Sequence, residues 1–360
     1  MAEKTITTTP SYATVPLKLD EIRVAAVQMN SKPVDTRDPG KDINANLNHM
    51  LFLCEAAFTW PPDPRPINLI AFPEFTLTGF DTMRTREDWL RIAIMVPGPE
   101  TERIGQKAKE LGCYIEFASH TQDPDWPGHF FNTSLIVGPE GRVIHQHWKA
   151  YYNFPGAGCL EYSTSVHDVL DAFVERYGWE AVWPVARTDI GNIATFICSE
   201  GFAPETARAF AMNGAEIIIR SIANGGYAYH DLPGVGDIRI RMRSDCIASD
   251  VYGIYANSDG GAILIGGKHM VESAGGGGSM IIDPSGLILA EANDTREQIV
   301  HATIPIASFR AKHQVPRIRT EIYAPVLEQH PGYVPPNLYA DYLPVDAQDV
   351  LQWSLKHLRE

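Results

Sequence analysis

The chain has 360 residues, of which 44% are hydrophobic, and its formal net charge is -14. This length and composition are typical of a globular protein that buries a large core in one large domain or two smaller ones. Negative charge spread along the chain opposes binding to nucleic acid or to anionic membranes, so we expect neither as a partner. No apolar run approaches the roughly 20 residues of a membrane-spanning helix, and residues 1–18 lack a secretory apolar segment. We therefore expect a cytoplasmic protein.

The five cysteines are widely spaced, at positions 54, 113, 159, 198 and 246. They form neither CxxC pairs nor a spacing with histidine that is typical of zinc ligands. We expect no disulfides and no structural metal.

Strand and helix patterns alternate along the first half of the chain. Residues 22–29 and 67–72 predict short buried strands, and apolar residues recur every three or four positions between 43 and 58, which predicts a helix. A helix over 100–111 precedes a strand at 113–119. The segments NTSLIVG and RVIHQHW, joined by GPEG, predict a hairpin.

The second half repeats this alternation. It predicts helices at 204–214 and 237–250, and strands at 192–198, 215–220, 251–258, 278–282 and 287–292. Because hairpins adjoin the alternating units, the sheets cannot be purely parallel. We predict an α/β fold in which two mixed sheets are sandwiched between helices.

Three regions lie outside this alternation. Residues 1–20 form an N-terminal extension, and a long insertion at about 150–180 interrupts the main domain, 21–308. Residues 309–360 are rich in proline and tyrosine and end in an amphipathic helix. So many aromatic residues argue against a solvated tail, and we expect this C-terminal extension to pack on a partner subunit.

Cys198 follows an apolar run that should be a buried strand. Pro204 and Glu205 can begin the next helix, because proline suits the first helical turn and an acid favours its positive end. Backbone N–H groups at such a turn favour a thiolate, which is the nucleophilic form, and can hold a developing oxyanion. The alternative is a cysteine that fills the core.

Two further segments place an ionisable residue at the end of a strand. Glu74 follows the run LIAFP, where an acid is positioned to face a cleft, and Lys149 follows the hairpin among aromatic residues. Each residue alone is typical of the solvated surface.

Together the segments FPEF, HWK and ICSEGFAPETARAFAMNGAEIIIR resemble the nitrilase superfamily of carbon–nitrogen hydrolases, over roughly residues 22–305. The resemblance implies a four-layer α-β-β-α sandwich, usually paired through its helices. It also implies that Glu74 is the general base, Lys149 stabilises the tetrahedral intermediate and Cys198 is the nucleophile. It implies no metal and no organic cofactor.

The run CSEGFAPE is most similar to the aliphatic amidase and formamidase branch, which favours small linear amides. Nitrile-hydrolysing members carry a tryptophan after the cysteine, where this chain has Ser199, and carbamoyl-amino-acid hydrolases place arginines where Gly201 and Phe202 stand. We predict an amidase that releases ammonia and a carboxylic acid through a thioester, assembled as a homodimer or higher oligomer. Nitrilase, carbamoyl or ureido-acid amidohydrolase, acyl-transferring and non-catalytic relatives remain as alternatives.

The region after the lysine departs from the amidase pattern, because it lacks the second glutamate motif. Glu161 is the nearest downstream acid and is a candidate for that role. Tyr151, Tyr152 and Phe154 are candidate walls of a pocket reshaped for a larger substrate, although aromatic clusters more often pack the core. Glu200 either positions the lysine or caps the helix, and we favour capping.

Overall fold

The computed structural model describes residues 12–59, 65–81, 84–152, 162–223, 237–259, 263–265, 268–271 and 276–359. In these residues the strands are β1 (Ile22–Gln28), β2 (Leu69–Ala71), β3 (Ile94–Met95), β4 (Tyr114–Gln122), β5 (Phe131–Val137), β6 (Val143–Trp148), β7 (Ala186–Thr188), β8 (Gly191–Ile197), β9 (Ile217–Ile222), β10 (Tyr252–Asn257), β11 (Ile263–Ile265), β12 (Lys268–Val271), β13 (Met280–Ile282), β14 (Ile288–Glu291) and β15 (Gln298–Ile304). The helices are α1 (Pro39–Thr59), α2 (Arg86–Ile92), α3 (Pro99–Leu111), α4 (Leu170–Tyr177), α5 (Pro204–Met212), α6 (Asp237–Ser249), α7 (Ile306–Arg310), α8 (Thr320–Gln329) and α9 (Ala347–Lys356).

Two mixed sheets form the centre of the fold. The first has the strand order β15-β1-β2-β4-β5-β6, and the second has the order β14-β13-β10-β9-β8-β7. In each sheet the three central strands are parallel, and antiparallel strands flank them. The predicted hairpin is present, because β5 and β6 pair antiparallel.

Three apolar layers hold this arrangement together. Isoleucines of both sheets, among them Ile22 and Ile219, fill the layer between the sheets. Side chains of α1 and α3 cover the outer face of the first sheet, and side chains of α5 and α6 cover the outer face of the second. The predicted sandwich of two mixed sheets between helices is confirmed.

Several short or partly exposed elements were not predicted from the sequence, among them α2 and β15. Helix α2 has seven residues, and its only sequence signal is a capping box in which Thr85 and Asp88 bond to each other's backbone N–H groups. Strand β15 is only partly buried along most of its length and pairs with β1 at the sheet edge. Short or half-exposed segments carry weak patterns, because the core constrains few of their residues.

The insertion packs against part of the C-terminal extension of the same chain. Phe173 and Val182 of the insertion share an apolar cluster with Leu338, Tyr339 and Trp353. Helix α8, in contrast, has no buried residue and exposes several apolar side chains, namely Ile322, Tyr323, Val326 and Leu327. Packing of the extension on a partner subunit stays a prediction. In the part of the chain that the structure describes, no helix combines the length and the apolar character that crossing a bilayer requires.

Candidate active site

The three candidate catalytic residues stand at the ends of strands that meet at one corner of the sandwich. Glu74 comes three residues after β2, and Lys149 comes directly after β6 of the same sheet. Cys198 comes directly after β8 of the other sheet and begins a 3₁₀ turn that precedes α5. The corner is therefore assembled from both sheets.

Glu74 and Lys149 form a buried ion pair. Lys149 Nζ lies 3.1 Å from Glu74 Oε1, and each side chain is 1% exposed. Asn132 Nδ2 donates to the same oxygen at 2.7 Å, and the Ala223 N–H donates to Oε2 at 3.2 Å. A buried carboxylate is tolerated only when it is paired and hydrogen-bonded, and these donors meet that condition.

Strand β8, which ends just before Cys198, lies next to the strand that contacts the Glu74 backbone. Ile197, the last residue of β8, is level with Ser221 of the parallel strand β9, and Cys198 follows directly. The carbonyl oxygen of Ile222 accepts a hydrogen bond from the Glu74 N–H at 3.4 Å. Cys198 therefore follows a strand that lies next to β9, and the last residue of β9 contacts the Glu74 backbone.

The backbone is strained at both strand ends. Cys198 has φ 45°, and Phe75, directly after the glutamate, has φ 59°. Residues other than glycine avoid this left-handed region, and each such residue costs about 1–3 kcal/mol. The surrounding contacts hold both turns in conformations that the isolated chain would avoid.

Arg220 fixes the carbonyl group of the cysteine. Its Nε and Nη2 atoms donate to the Cys198 oxygen at 2.9 and 2.6 Å. The guanidinium carbon lies 5.6 Å from the ring centres of both Phe196 and Phe202. Gly201 allows this close approach, because a Cβ atom there would lie 2.5 Å from that carbon.

Glu200 connects the two sides of the corner. Its Oε1 atom accepts the Ala150 N–H at 2.7 Å, directly after the lysine, and its Oε2 atom accepts the Ile197 N–H at 2.6 Å, directly before the cysteine. His147 Nε2 lies 3.1 Å from both oxygens. The contact with Ile197 caps the 3₁₀ turn, and the contact with Ala150 fixes the backbone beside the lysine. Glu200 thus makes contacts of both expected kinds, one that caps a helical turn and one that positions the lysine segment.

The two tyrosines after the lysine contact this corner. The Tyr152 ring centre lies 4.9 Å from Lys149 Nζ, and its hydroxyl is hydrogen-bonded to Ser163. The Tyr151 hydroxyl donates to the carbonyl oxygen of Glu200 at 2.9 Å. Ser199 is partly exposed in the 3₁₀ turn.

The other cysteines differ from Cys198 in their surroundings. Cys54, Cys113 and Cys246 are buried, as expected for core residues, whereas Cys198 is partly exposed. Cys159 lies outside the described residues. A partly exposed thiol at a strand end is open to a substrate, and a core thiol is not.

Two candidate residues also lie outside the described residues, namely Phe154 and Glu161. Their presence in the site stays a prediction. Sequence reasoning did not assign three residues that contact the candidates, namely Asn132, His147 and Arg220. The available signal was a polar or charged residue within an otherwise apolar strand, as in AEIIIRSI.

A further buried acid lies beneath the corner. Glu116 of β4 accepts hydrogen bonds from the hydroxyls of Ser134 and Ser221, each at 2.7 Å. Burial raises the pKa of its carboxyl to about 7, against these two hydrogen bonds, which lower it. Among the described residues, no three His, Cys, Asp or Glu side chains are grouped to hold a metal ion.

The family model for Carbon-nitrogen hydrolase matches residues 23–314. The chain belongs to this family. A formamidase of Bacillus thuringiensis (strain Al Hakam) is 31% identical over 159 residues, which are 43% of this chain and 41% of that relative. The aligned part of this carbon–nitrogen hydrolase thus spans less than half the length of that curated relative.

Solved structures share the fold of this carbon–nitrogen hydrolase. Saccharomyces cerevisiae Nit3, a member of branch 10 of the nitrilase superfamily, superposes with a TM-score of 0.62 at 20% identity, over 85% of this chain and 99% of that one. An amidase variant from Nesterenkonia sp. AN1, with the acetamide moiety of fluoroacetamide added covalently at its active-site cysteine, superposes with a TM-score of 0.58 at 16% identity. The alignment covers 87% of this chain and 99% of that one. The predicted superfamily and its four-layer fold are confirmed.

Proposed function

We propose that this carbon–nitrogen hydrolase is a cysteine-dependent amidase that converts linear amides to ammonia and a carboxylic acid. The observation that carries the proposal is the buried Glu74–Lys149 ion pair beside the strained turn at Cys198. Such a site brings a base, a fixed cation and a thiol together, which are the groups that acyl transfer through a thioester requires.

In the first step Glu74 takes the thiol proton of Cys198, and the sulfur attacks the amide carbon. Lys149 stabilises the negative charge that develops on the amide oxygen. The intermediate then collapses, the C–N bond breaks, and the leaving nitrogen takes the proton from Glu74 to depart as ammonia. A thioester between the acyl group and the sulfur remains.

In the second step Glu74 removes a proton from water as the oxygen attacks the thioester carbon. Lys149 again faces the oxyanion. The C–S bond breaks, the carboxylic acid leaves, and the sulfur regains its proton from Glu74. The glutamate thus acts once as base and once as acid in each half of the reaction, and the donors of Asn132, Lys149 and Ala223 hold its carboxyl group in place.

Arg220 and Glu200 act as positioning residues in this proposal. They hold the carbonyl group of Cys198 and the N–H groups of Ile197 and Ala150, so neither strand end can drift relative to the other. Preorganisation of this kind avoids rearrangement during the reaction.

The relatives support the same chemistry. The aligned curated relative is named a formamidase, and the Nesterenkonia amidase carries a covalent adduct at its active-site cysteine. The chain's own distinguishing features agree with an amidase, since Ser199 stands where nitrile-hydrolysing members have tryptophan.

Ammonia release from a panel of amides, nitriles, carbamoyl amino acids and ureas tests the proposal. We expect amides to be hydrolysed and Cys198→Ala to reduce the rate by about 10⁴-fold or more, as for loss of a nucleophile in other hydrolases. Intact mass spectrometry of rapidly quenched protein should show the acyl adduct on wild type and none on the variant.

Cys113→Ala is the matched control, because it removes a buried core thiol far from the corner. It should keep the activity. If Cys198→Ala still released ammonia from amides, the thiol would not be the nucleophile. If only nitriles or carbamoyl amino acids reacted, the amidase assignment would be wrong.

A further inference from the structure

A cavity of about 480 Å³ lies between the insertion and the C-terminal extension. Tyr151, Tyr152 and residues 162–183 form one side, and residues 332–354 form the other. Cavities of this size hold small organic molecules in proteins. Formamide and acetamide have three and four non-hydrogen atoms, so they use little of such a space.

The cavity begins at the catalytic corner. Tyr152 lines it, and the same ring lies 4.9 Å from Lys149 Nζ. Ala150, whose N–H is held by Glu200, also lines it. Tyr152 thus borders both the lysine and the cavity, and a substrate with its amide group at Lys149 would reach the cavity by passing this ring.

Aromatic side chains dominate the wall. Besides Tyr151 and Tyr152 they are Tyr162, Trp179, Trp183, Tyr333 and Tyr339. Trp179 from the insertion is 66% exposed and Tyr333 from the extension is 73% exposed, so these two form the rim. Aromatic walls favour flat apolar groups through offset and edge-to-face contacts.

The charges at the wall exclude an anionic group. No lysine or arginine occurs among the described lining residues. Asp168 is the buried acid there, and its Oδ2 atom accepts hydrogen bonds from the N–H and hydroxyl groups of Ser165. A carboxylate in the cavity would lie beside this acid, and no described lining residue offers it an ammonium or guanidinium group, so a neutral group fits best.

Resting on the proposed function, we propose that this cavity binds the aryl substituent of the substrate, and that the enzyme prefers arylalkyl amides to formamide and acetamide. The preference comes from the insertion and the extension rather than from the catalytic corner. Phenylacetamide should therefore exceed acetamide in kcat/KM by about ten-fold or more, the usual discrimination of an apolar pocket.

Two variants with opposite effects on the cavity test this. Trp179→Ala removes an exposed part of the rim, and Val182→Trp fills the interior; we expect each to lower the ratio of kcat/KM for phenylacetamide over acetamide by about ten-fold. Phe52→Ala is the matched control, because Phe52 is an exposed aromatic residue of α1 outside the cavity. It should leave the ratio unchanged.

Binding is measured separately from turnover. Cys198→Ala protein should bind phenylacetamide by calorimetry, and adding Val182→Trp should abolish that binding. If Val182→Trp fails to fold, the Trp179→Ala ratio and binding decide the matter alone. Turnover of acetamide with neither binding nor turnover of phenylacetamide would overturn the cavity proposal and leave the amidase intact. Binding of phenylacetamide without turnover of any amide would instead overturn the proposed function.

Discussion

The catalytic corner and the aromatic cavity lie side by side, but they are built differently. At the corner, Glu74, Lys149 and Cys198 follow strands of the two central sheets, and buried hydrogen bonds fix the groups around them. The cavity is lined by an insertion and a terminal extension, with exposed aromatic residues at its rim. The rigid core holds groups that must not move, and the added segments can change shape without disturbing them.

After the loss of Cys198, the largest expected effect comes from breaking the ion pair at the corner. Lys149→Met should lower kcat by about 10³-fold, because it removes the charge that faces the oxyanion in the proposed mechanism. It should also lower the free energy of unfolding by about 3–5 kcal/mol, because it leaves Glu74 buried without its cation. Ammonia release and urea unfolding measure the two effects.

The double variant Glu74→Gln/Lys149→Met separates them. With both charges removed, we expect most of the lost stability to return while activity stays absent. If the double variant were as unstable as Lys149→Met, the loss of stability would not come from the unpaired buried charge of Glu74.

The next largest effect concerns stability beneath the corner. The pKa of the Glu116 carboxyl is raised to about 7 from its usual 4.5. The unfolded chain therefore loses this proton at lower pH than the folded protein, so stability is fully present below about pH 4.5 and falls as the pH rises through about 7. The contribution is roughly 3 kcal/mol.

Glu116→Gln removes this titration. We subtract the free energy of unfolding of the variant from that of wild type. This difference should be larger at about pH 4 than at about pH 8, as measured by urea unfolding across that range. Asp168 and Asp245, whose pKa values burial raises to about 6, titrate in both proteins and cancel in the difference. A constant difference would show that folding does not raise the pKa of Glu116.

A smaller effect is expected from Glu200→Gln. The carboxamide keeps one acceptor oxygen, so it cannot accept the N–H groups of both Ile197 and Ala150. We expect kcat to fall by about 10–100-fold, the equivalent of one lost hydrogen bond to a charged group, with little change in KM. The rate at which iodoacetamide alkylates Cys198 should fall with it. A change confined to KM would indicate a binding role instead.

The smallest effect tests the border between the two regions. Tyr152→Leu removes the ring beside Lys149 and should reduce kcat/KM by about 3–10-fold, the value of a buried cation–π contact. Tyr152→Phe keeps the ring and loses only the hydroxyl that contacts Ser163. It should retain most of the activity, so equal losses in the two variants would assign the effect to the hydroxyl.

The sequence placed the three candidate residues at strand ends because they follow segments with strong apolar patterns. Cys198, Glu74 and Lys149 each end a run whose burial is evident from composition, and the hairpin placed the lysine. Sequence patterns did not reveal Arg220 as the partner of the Cys198 carbonyl, because that contact depends on register between β8 and β9.

The cavity could not be predicted in the same way. The two sides of the cavity lie far apart in the sequence, since residues within 150–183 line one side and residues within 332–354 line the other. No periodicity in the sequence links these two segments. Aromatic residues after Lys149 suggested one wall of a pocket. The opposite wall comes from the C-terminal extension, which we expected to pack on a partner subunit instead. Contacts between irregular segments are set by tertiary packing rather than by local pattern.

The contact between Gly201 and Arg220 restricts how this chain can change over time. Any side chain at 201 would collide with the guanidinium group, and loss of the arginine would release the carbonyl of the cysteine. Neither position can be altered alone without harm to the turn. Among descendants of this sequence that keep this turn, glycine and arginine should therefore both be retained.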